Sequence, residues 1–130
     1  RALAETLRES SRGGGDPQRG AFRLAALGKI DLHLHATASV LREAAHWIDA
    51  HPREDASRVA LRARLAAEGC ARQVLDEAGR ALGAVAFCRD ARFARTAADL
   101  PVFIRQSHAE RDFASLGTQV AAMAQTPWAL

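Results

Sequence analysis

Cys88-Arg89-Asp90-Ala91-Arg92-Phe93-Ala94-Arg95 is the stretch around which the chain is read. Three arginines and one aspartate stand on a background of Ala, Phe and Cys. Wound as one helix, it puts Phe87, Ala91, Ala94 and Ala98 on a single face, at spacings of four, three and four. Arg89, Arg92 and Arg95 then fall on another face. Such a segment buries one side and offers cations and hydrogen-bond donors on the other. The same spacing also describes a surface helix with a solvated basic stripe. Upstream lie Gly79 and Gly83, which read as a loop; downstream Asp99-Leu100-Pro101 reads as a kink.

Working outward, hydrophobic periods of three, four and seven recur and alternation of period two does not. Residues 1–12 read as the end of a helix, with Ala2, Leu3 and Leu7 apolar. The run Ser10-Ser11-Arg12-Gly13-Gly14-Gly15-Asp16-Pro17 breaks it, since three glycines cannot hold a helix, and Asp16-Pro17 restarts one, with Asp16 as N-cap and Pro17 at the first position. The second helix is predicted over 17–50, on the face Leu27, Ile30, Leu34, Leu41, Ala45 and Ile48, with Gly28 marking close packing. Pro52 follows its end. A third covers 54–78, burying Val59, Ala63, Ala66, Cys70 and Val74 and turning Arg58, Arg62, Glu68, Arg72 and Glu77 outward; Gly79 stops it. A fourth covers 85–99, and Val102–Leu116 is helical again until Gly117. The expectation is an all-α, antiparallel up-and-down four-helix bundle over residues 1–117, with 118–130 a tail.

Composition narrows the function classes. The chain has 130 residues, 48% of them hydrophobic and 25% charged, which fits one soluble, cytoplasmic globular domain. No apolar run approaches the ~20 residues of a membrane span. The first residues do not read as a secretory signal, and none is expected. Arg1 in place of Met, with helical patterning from the first residue, reads as a fragment or processed piece. The net charge is only +3, acids are interspersed with the arginines, and aromatics are 5% with no Tyr. That argues against nucleic-acid binding, which favours a clustered cationic face with stacking rings. Cys70 and Cys88 form no CxxC and are expected to be reduced. His33 and His35 are two apart, and His46 and His51 five apart, whereas helical zinc ligands want three or four; no metal is expected. The glycine run lacks the Lys-Ser/Thr of a P-loop.

Taken as a unit, Arg8-Glu9-Ser10-Ser11-Arg12 with Gln18, then Gln73, the Ala78-Gly79 turn and Arg89-Asp90-Ala91-Arg92, resembles the C-terminal helical domain of the acyl-CoA dehydrogenase family of flavoproteins. The resemblance covers about residues 1 to 117. It implies FAD as cofactor, an acyl-CoA-type substrate, and assembly as a homo-oligomer (dimer or tetramer), with the family's N-terminal domains missing or on another chain. It implies that Arg8, Ser10, Gln73 and Gly79 serve flavin binding; an arginine fork and backbone amides suit a diphosphate. The family's base, a glutamate that takes the proton α to the thioester while hydride leaves Cβ for the flavin, aligns with Ala98. Asp99, one residue later, is the carboxylate left for that role. Asp99 also reads as the N-cap of a helix beginning near Pro101. Loss of that glutamate and of a paired-glycine loop fits a second reading, a non-catalytic helical assembly kept as an inactive dehydrogenase-like subunit; the ligand-binding half of a regulator is the other non-catalytic reading, and residues 1–30 show no helix-turn-helix for it.

Overall fold

The structure, a computed structural model, describes residues 1–13 and 17–128. Among them the chain forms six α-helices and no strand: α1 (Ala2–Arg12), α2 (Pro17–Ala50), α3 (Ser57–Leu82), α4 (Ala84–Arg89), α5 (Ala91–Arg105) and α6 (Ala109–Ala121). The all-helical expectation therefore holds, and the second helix has the predicted bounds. Pro17 sits at its first position, where a missing N–H costs nothing. Asp16, the expected N-cap, lies outside the described residues. At the other end His51 stacks on Trp47 at 4.5 Å between centroids, and its Nδ1 lies 2.8 Å from the Trp47 carbonyl oxygen. That contact serves one of the last carbonyls of α2, which have no partner within the helix.

α2 turns back through residues 51–56 into α3, and the two pack along their length. The Lys29–Glu77 ion pair (3.1 Å) ties the start of α2 to the end of α3, so they run antiparallel. α3 is the common support: α1, α4, α5 and α6 all rest on it. The main core lies where α1, α2, α3 and α5 meet, from Leu3 and Leu7, Ala26 and Ile30, Cys70, Val74 and Ala78, and Phe93. Leu7, Ile30 and Phe93 are the largest side chains shut completely away. Full burial of each stabilises the fold by roughly 1.5–3 kcal/mol relative to leaving it in water.

Several sequence expectations are corrected here. The Cys88–Arg95 stretch is two helices. α4 ends at Arg89, and Asp90, with φ −110° and ψ 97°, caps α5; its Oδ1 accepts from the Arg92 and Phe93 amides at 3.0 and 2.9 Å. An aspartate carboxylate facing those first-turn donors supports a helix start better than it supports an unbroken helix. The face joining Phe87 to Ala91, Ala94 and Ala98 therefore does not exist. Ala91 and Ala98 are exposed, and Phe93 is the buried anchor, with Ala97, Leu100 and Ile104 following it inward. Phe87 meets Phe93 edge-on at 5.1 Å. Arg89 belongs to α4 and is separated from Arg92 and Arg95 by the break.

Gly79 does not stop α3. The helix passes through it and ends at Gly83, whose φ of +65° is a backbone conformation that side-chain-bearing residues resist. A Cβ at Gly79 would lie 3.2 Å from the Phe87 ring, a tight contact to which the ring would have to yield. Gly28, expected to mark close packing, has nothing within 4 Å of its would-be Cβ. Ser10 and Ser11 continue α1, and Ser11 Oγ donates to the Leu7 carbonyl at 2.8 Å. Pro101 lies inside α5 and starts no new helix. Packing of Leu100 and Ile104 on either side offsets the lost N–H and the steric cost. The break falls instead at 106–108. α6 then crosses Gly117 and ends at Ala121, four residues into the expected tail. Glu68, expected outside, is 7% exposed.

Candidate functional site

The richest convergence of charge and shape is at the end of the molecule where α1 stops, α2 starts and α3 gives way to α4. One cleft there is lined by Ser10, Ser11, Gly13, Pro17, Arg19 and Arg23. A second runs between α2 and the α3–α4 turn, past Phe22, Arg80, Gly83 and Val85, and shares Arg19 and Arg23 with the first. Arg19 and Arg23 stand one turn apart near the N-terminus of α2, where the helix dipole places partial positive charge. An Arg23 terminal nitrogen donates to the Ser10 carbonyl at 3.3 Å, which joins the end of α1 to the start of α2. Arg80 is held in a fork by Asp76, with Nε to Oδ1 at 3.0 Å and a terminal nitrogen to Oδ2 at 2.6 Å. The guanidinium groups of Arg19 and Arg23 and the N-terminus of α2, with Arg80 alongside in its fork to Asp76, describe a surface for an anion with several oxygens. Phe22 and Val85, 66% and 64% exposed, give it apolar edges on which a flat ring can lie.

The residues expected to carry function are distributed as follows. Ser10 lines this cleft, at its α1 wall. Arg8 is on the same helix, but its guanidinium is taken up by Glu5: Nε to Oε1 is 2.8 Å and a terminal nitrogen is closer still. That hydrogen bond pushes the Arg8 pKa up and the Glu5 carboxyl below its ordinary range, the charge pairing adding to both. Gln73 is exposed on α3, one turn before Glu77. Gly79 packs under Phe87, one turn before the α3–α4 bend. Asp99 is 71% exposed within α5, its Oδ2 3.5 Å from Arg95 Nε, so it is not a helix cap. In this chain Asp99 stands in water, apart from the arginine cleft. Ser10 is thus the expected residue that the fold brings to the convergent cations, and Gly79 lies near its α3–α4 wall.

Sequence reasoning missed Arg19, Arg23 and Arg80. The first pair carried a signal, two arginines four apart directly after Pro17, where α2 begins. Arg80 carried none, because its place beside them depends on where α3 ends. Among the described residues no group of three or more His, Cys, Asp and Glu is placed to hold a metal ion. Cys70 is buried, Cys88 exposed, and both are free. No described helix is long and apolar enough to cross a membrane. Neither a family model, nor a curated protein, nor a solved structure matches the chain.

Proposed function

We propose that the chain is the helical C-terminal part of an FAD-dependent, acyl-CoA dehydrogenase-like flavoenzyme, contributing flavin binding and assembly for α,β-dehydrogenation of an acyl thioester. In this reading α1, α2, α3 and α5 are the four rods of an antiparallel bundle of that family's kind. The observation that carries it is the cleft of Arg19 and Arg23 beside Ser10 at the α1–α2 junction, with Arg80 in the adjoining cleft that shares both arginines. A dinucleotide's diphosphate is the doubly charged, oxygen-rich group such a surface fits. Arg8, Gln73 and Gly79 would support the same cofactor from α1 and α3. When bound, FAD supplies the hydride acceptor, and Asp99 is the carboxylate of this chain assigned to receive the proton α to the thioester. Its exposure here means that the remainder of the active site would have to come from another domain or subunit to exclude water around it.

The test is a titration of FAD, followed by flavin fluorescence, into the protein expressed with whatever its reading frame adds before Arg1. Saturable binding that weakens several-fold on Arg23→Ala and with added salt supports the reading. Absence of binding, or binding indifferent to Arg23 and Arg80, sinks it. In the same preparation Asp99→Asn should abolish turnover; retained turnover removes Asp99 from the role of base.

A second reading, a helical assembly without flavin chemistry, draws on the outer face of α2. Ala21, Leu24, Ala25, Gly28 and Leu32 form a solvent-facing stripe, with Leu24 58% and Leu32 67% exposed. A helix apolar on both faces is usually buried on both. Both readings therefore imply a homo-oligomer, with Gly28 allowing close approach of a second copy. Flavin binding separates them, and sedimentation of Leu24→Glu tests the shared part. A charge there should shift the protein to monomer, and an unchanged mass would exclude this face.

A further inference from the structure

Glu68 is the one buried acid among the described residues, and the catalytic reading makes no use of it. It stands on α3 opposite the break between α5 and α6. Its Oε1 accepts from Arg72 at 2.6 Å and its Oε2 from the Ser107 hydroxyl at 2.6 Å. The same hydroxyl lies 2.8 Å from the Ile104 carbonyl at the end of α5. Beyond Ser107 the chain becomes α6, whose N-cap His108 makes no side-chain capping bond. Among its described side chains α6 buries none, and it contributes nothing to the main core. Leu116 and Val120 are half-buried, and Phe113 is 52% exposed. At its far end the Gln119 amide is 3.3 Å from Ser57 Oγ, and Arg58 reaches the Met123 sulfur.

We propose that α6 is a strap, hinged at Gln106 just after the end of α5, that carries Ser107 with it and swings off the first half of α3 while α1 to α5 stay folded. The Ser107–Glu68 hydrogen bond is the pin that holds it shut. Two physical arguments meet here. A helix fastened by polar contacts at its ends, with no fully buried side chain between, belongs to the low-stability end of the range of local openings. And Arg72 sits on α3 itself, one turn from Glu68, with 58% of its side chain in water. It stays with the carboxylate whether or not α6 is in place. Opening therefore breaks the Ser107 bond without leaving Glu68 as an uncompensated buried charge, which would be far more costly. The acid is kept by one partner and released by the other, which makes the contact reversible.

Hydrogen exchange followed by mass spectrometry on the full chain tests this. Peptides from 109–121 should exchange about ten-fold or more faster than those from 70–78, as expected of a separately opening unit. Ser107→Ala removes the pin and spares the Glu68–Arg72 pair. It should speed exchange in α6 by a further factor of about ten, the scale of one hydrogen bond to a charged group, and leave peptides around Leu7, Ile30 and Val74 unchanged. Glu68→Gln keeps a neutral acceptor and should fall between the two. Two results would overturn the proposal: α6 and α3 exchanging together in the unmodified chain, or Ser107→Ala moving all helices alike or none.

Discussion

At one end of the molecule α2 and α3 are enclosed by α1 and α5, and the side chains between them are shut away: Leu7 is 0% exposed, Ile30 1% and Phe93 1%. Toward the other end the same two helices continue well past α1, which is only 11 residues long. There the α2 face that buried Ile30 presents Leu41 and Ile48, 46% and 41% exposed, and the α2 side chain that is buried is Ala44. A groove runs along α2 from Arg1 past Leu34 and His35 to Leu41. The hydrophobic period of α2 is continuous, so the difference does not come from the helix. It comes from the neighbours: four helices meeting bury a volume, whereas beyond α1 the α2–α3 pair, with α6 resting on α3 and burying no described side chain, buries a narrow seam.

The largest effect that can break this comparison is a deletion at the closed end. Phe93→Ala removes a fully buried ring packed against Phe87 and should cost about 3–5 kcal/mol, whereas Ile48→Ala at the open end should cost about 1 kcal/mol or less. Urea unfolding of both variants measures it. Similar losses at the two sites would mean that Ile48 is covered in solution, by a second copy or by another segment.

Next in size is the contrast between the two helix starts. Asp90→Ala strips α5 of both amide contacts and should destabilise by about 1 kcal/mol. His108→Ala removes no capping bond from α6 and should stay within about 0.5 kcal/mol of the parent. Thermal unfolding of the pair reads the difference. A larger loss at His108 than at Asp90 would reverse the ranking of the two helices.

The same contrast explains what was legible in the sequence. Local rules worked where local chemistry decides: Pro17 set the start of α2, and Cys70 and Val74 were correctly placed inward. They failed where the answer depends on a distant partner. Gly79 and Gly83 look alike as letters, but one lies under the close approach of Phe87 and the other takes a positive φ. Asp90 reads as part of a continuous helix because Phe87, Ala91, Ala94 and Ala98 fall at helical spacing around it. Its side chain nevertheless caps the next one. Glu68 looked like a surface acid until Ser107, 39 residues away in sequence, closed over it. The arginine cleft was hidden for the same reason, since Arg80 joins Arg19 and Arg23 only after α3 has packed on α2.

Glycines give a smaller and oppositely signed pair of effects. At Gly69, inside α3 and exposed, a Cβ meets nothing, so Gly69→Ala should stabilise by about 0.5–1 kcal/mol through helix propensity and a less flexible unfolded chain. At Gly79 the same methyl would press on the Phe87 ring, and Gly79→Ala should lose that gain or become destabilising. Melting temperatures moving in the same direction for both would show that Phe87 is free to yield and that the closed end is looser than its burial implies.

The smallest effect is in pH, and it too has one representative at each end. At the closed end Glu5 is held below its ordinary range chiefly by its hydrogen bond to Arg8. At the open end the Asp55 carboxylate accepts from the Ser57 amide at 2.9 Å and the Ser57 hydroxyl at 3.0 Å; the amide bond is the leading cause of its lowered pKa. For both, the folded value lies below the unfolded one. Each stabilising contribution is therefore complete above the ordinary carboxylate pKa and is lost as pH falls through the lowered folded value. Both groups are exposed at the surface, so the change should be a shallow decline in melting temperature on the acid side of pH 4.5, the ordinary value for Glu5. Asp55→Asn should flatten the part of that decline due to α3, and Glu5→Gln the part due to α1. Hydrogen exchange resolves the two locally: acid should loosen the first turn of α3 in the parent and not in Asp55→Asn. If acid instead loosens the Leu7–Phe93 region first, the closed end is not the more robust of the two, and the contrast in burial does not translate into stability.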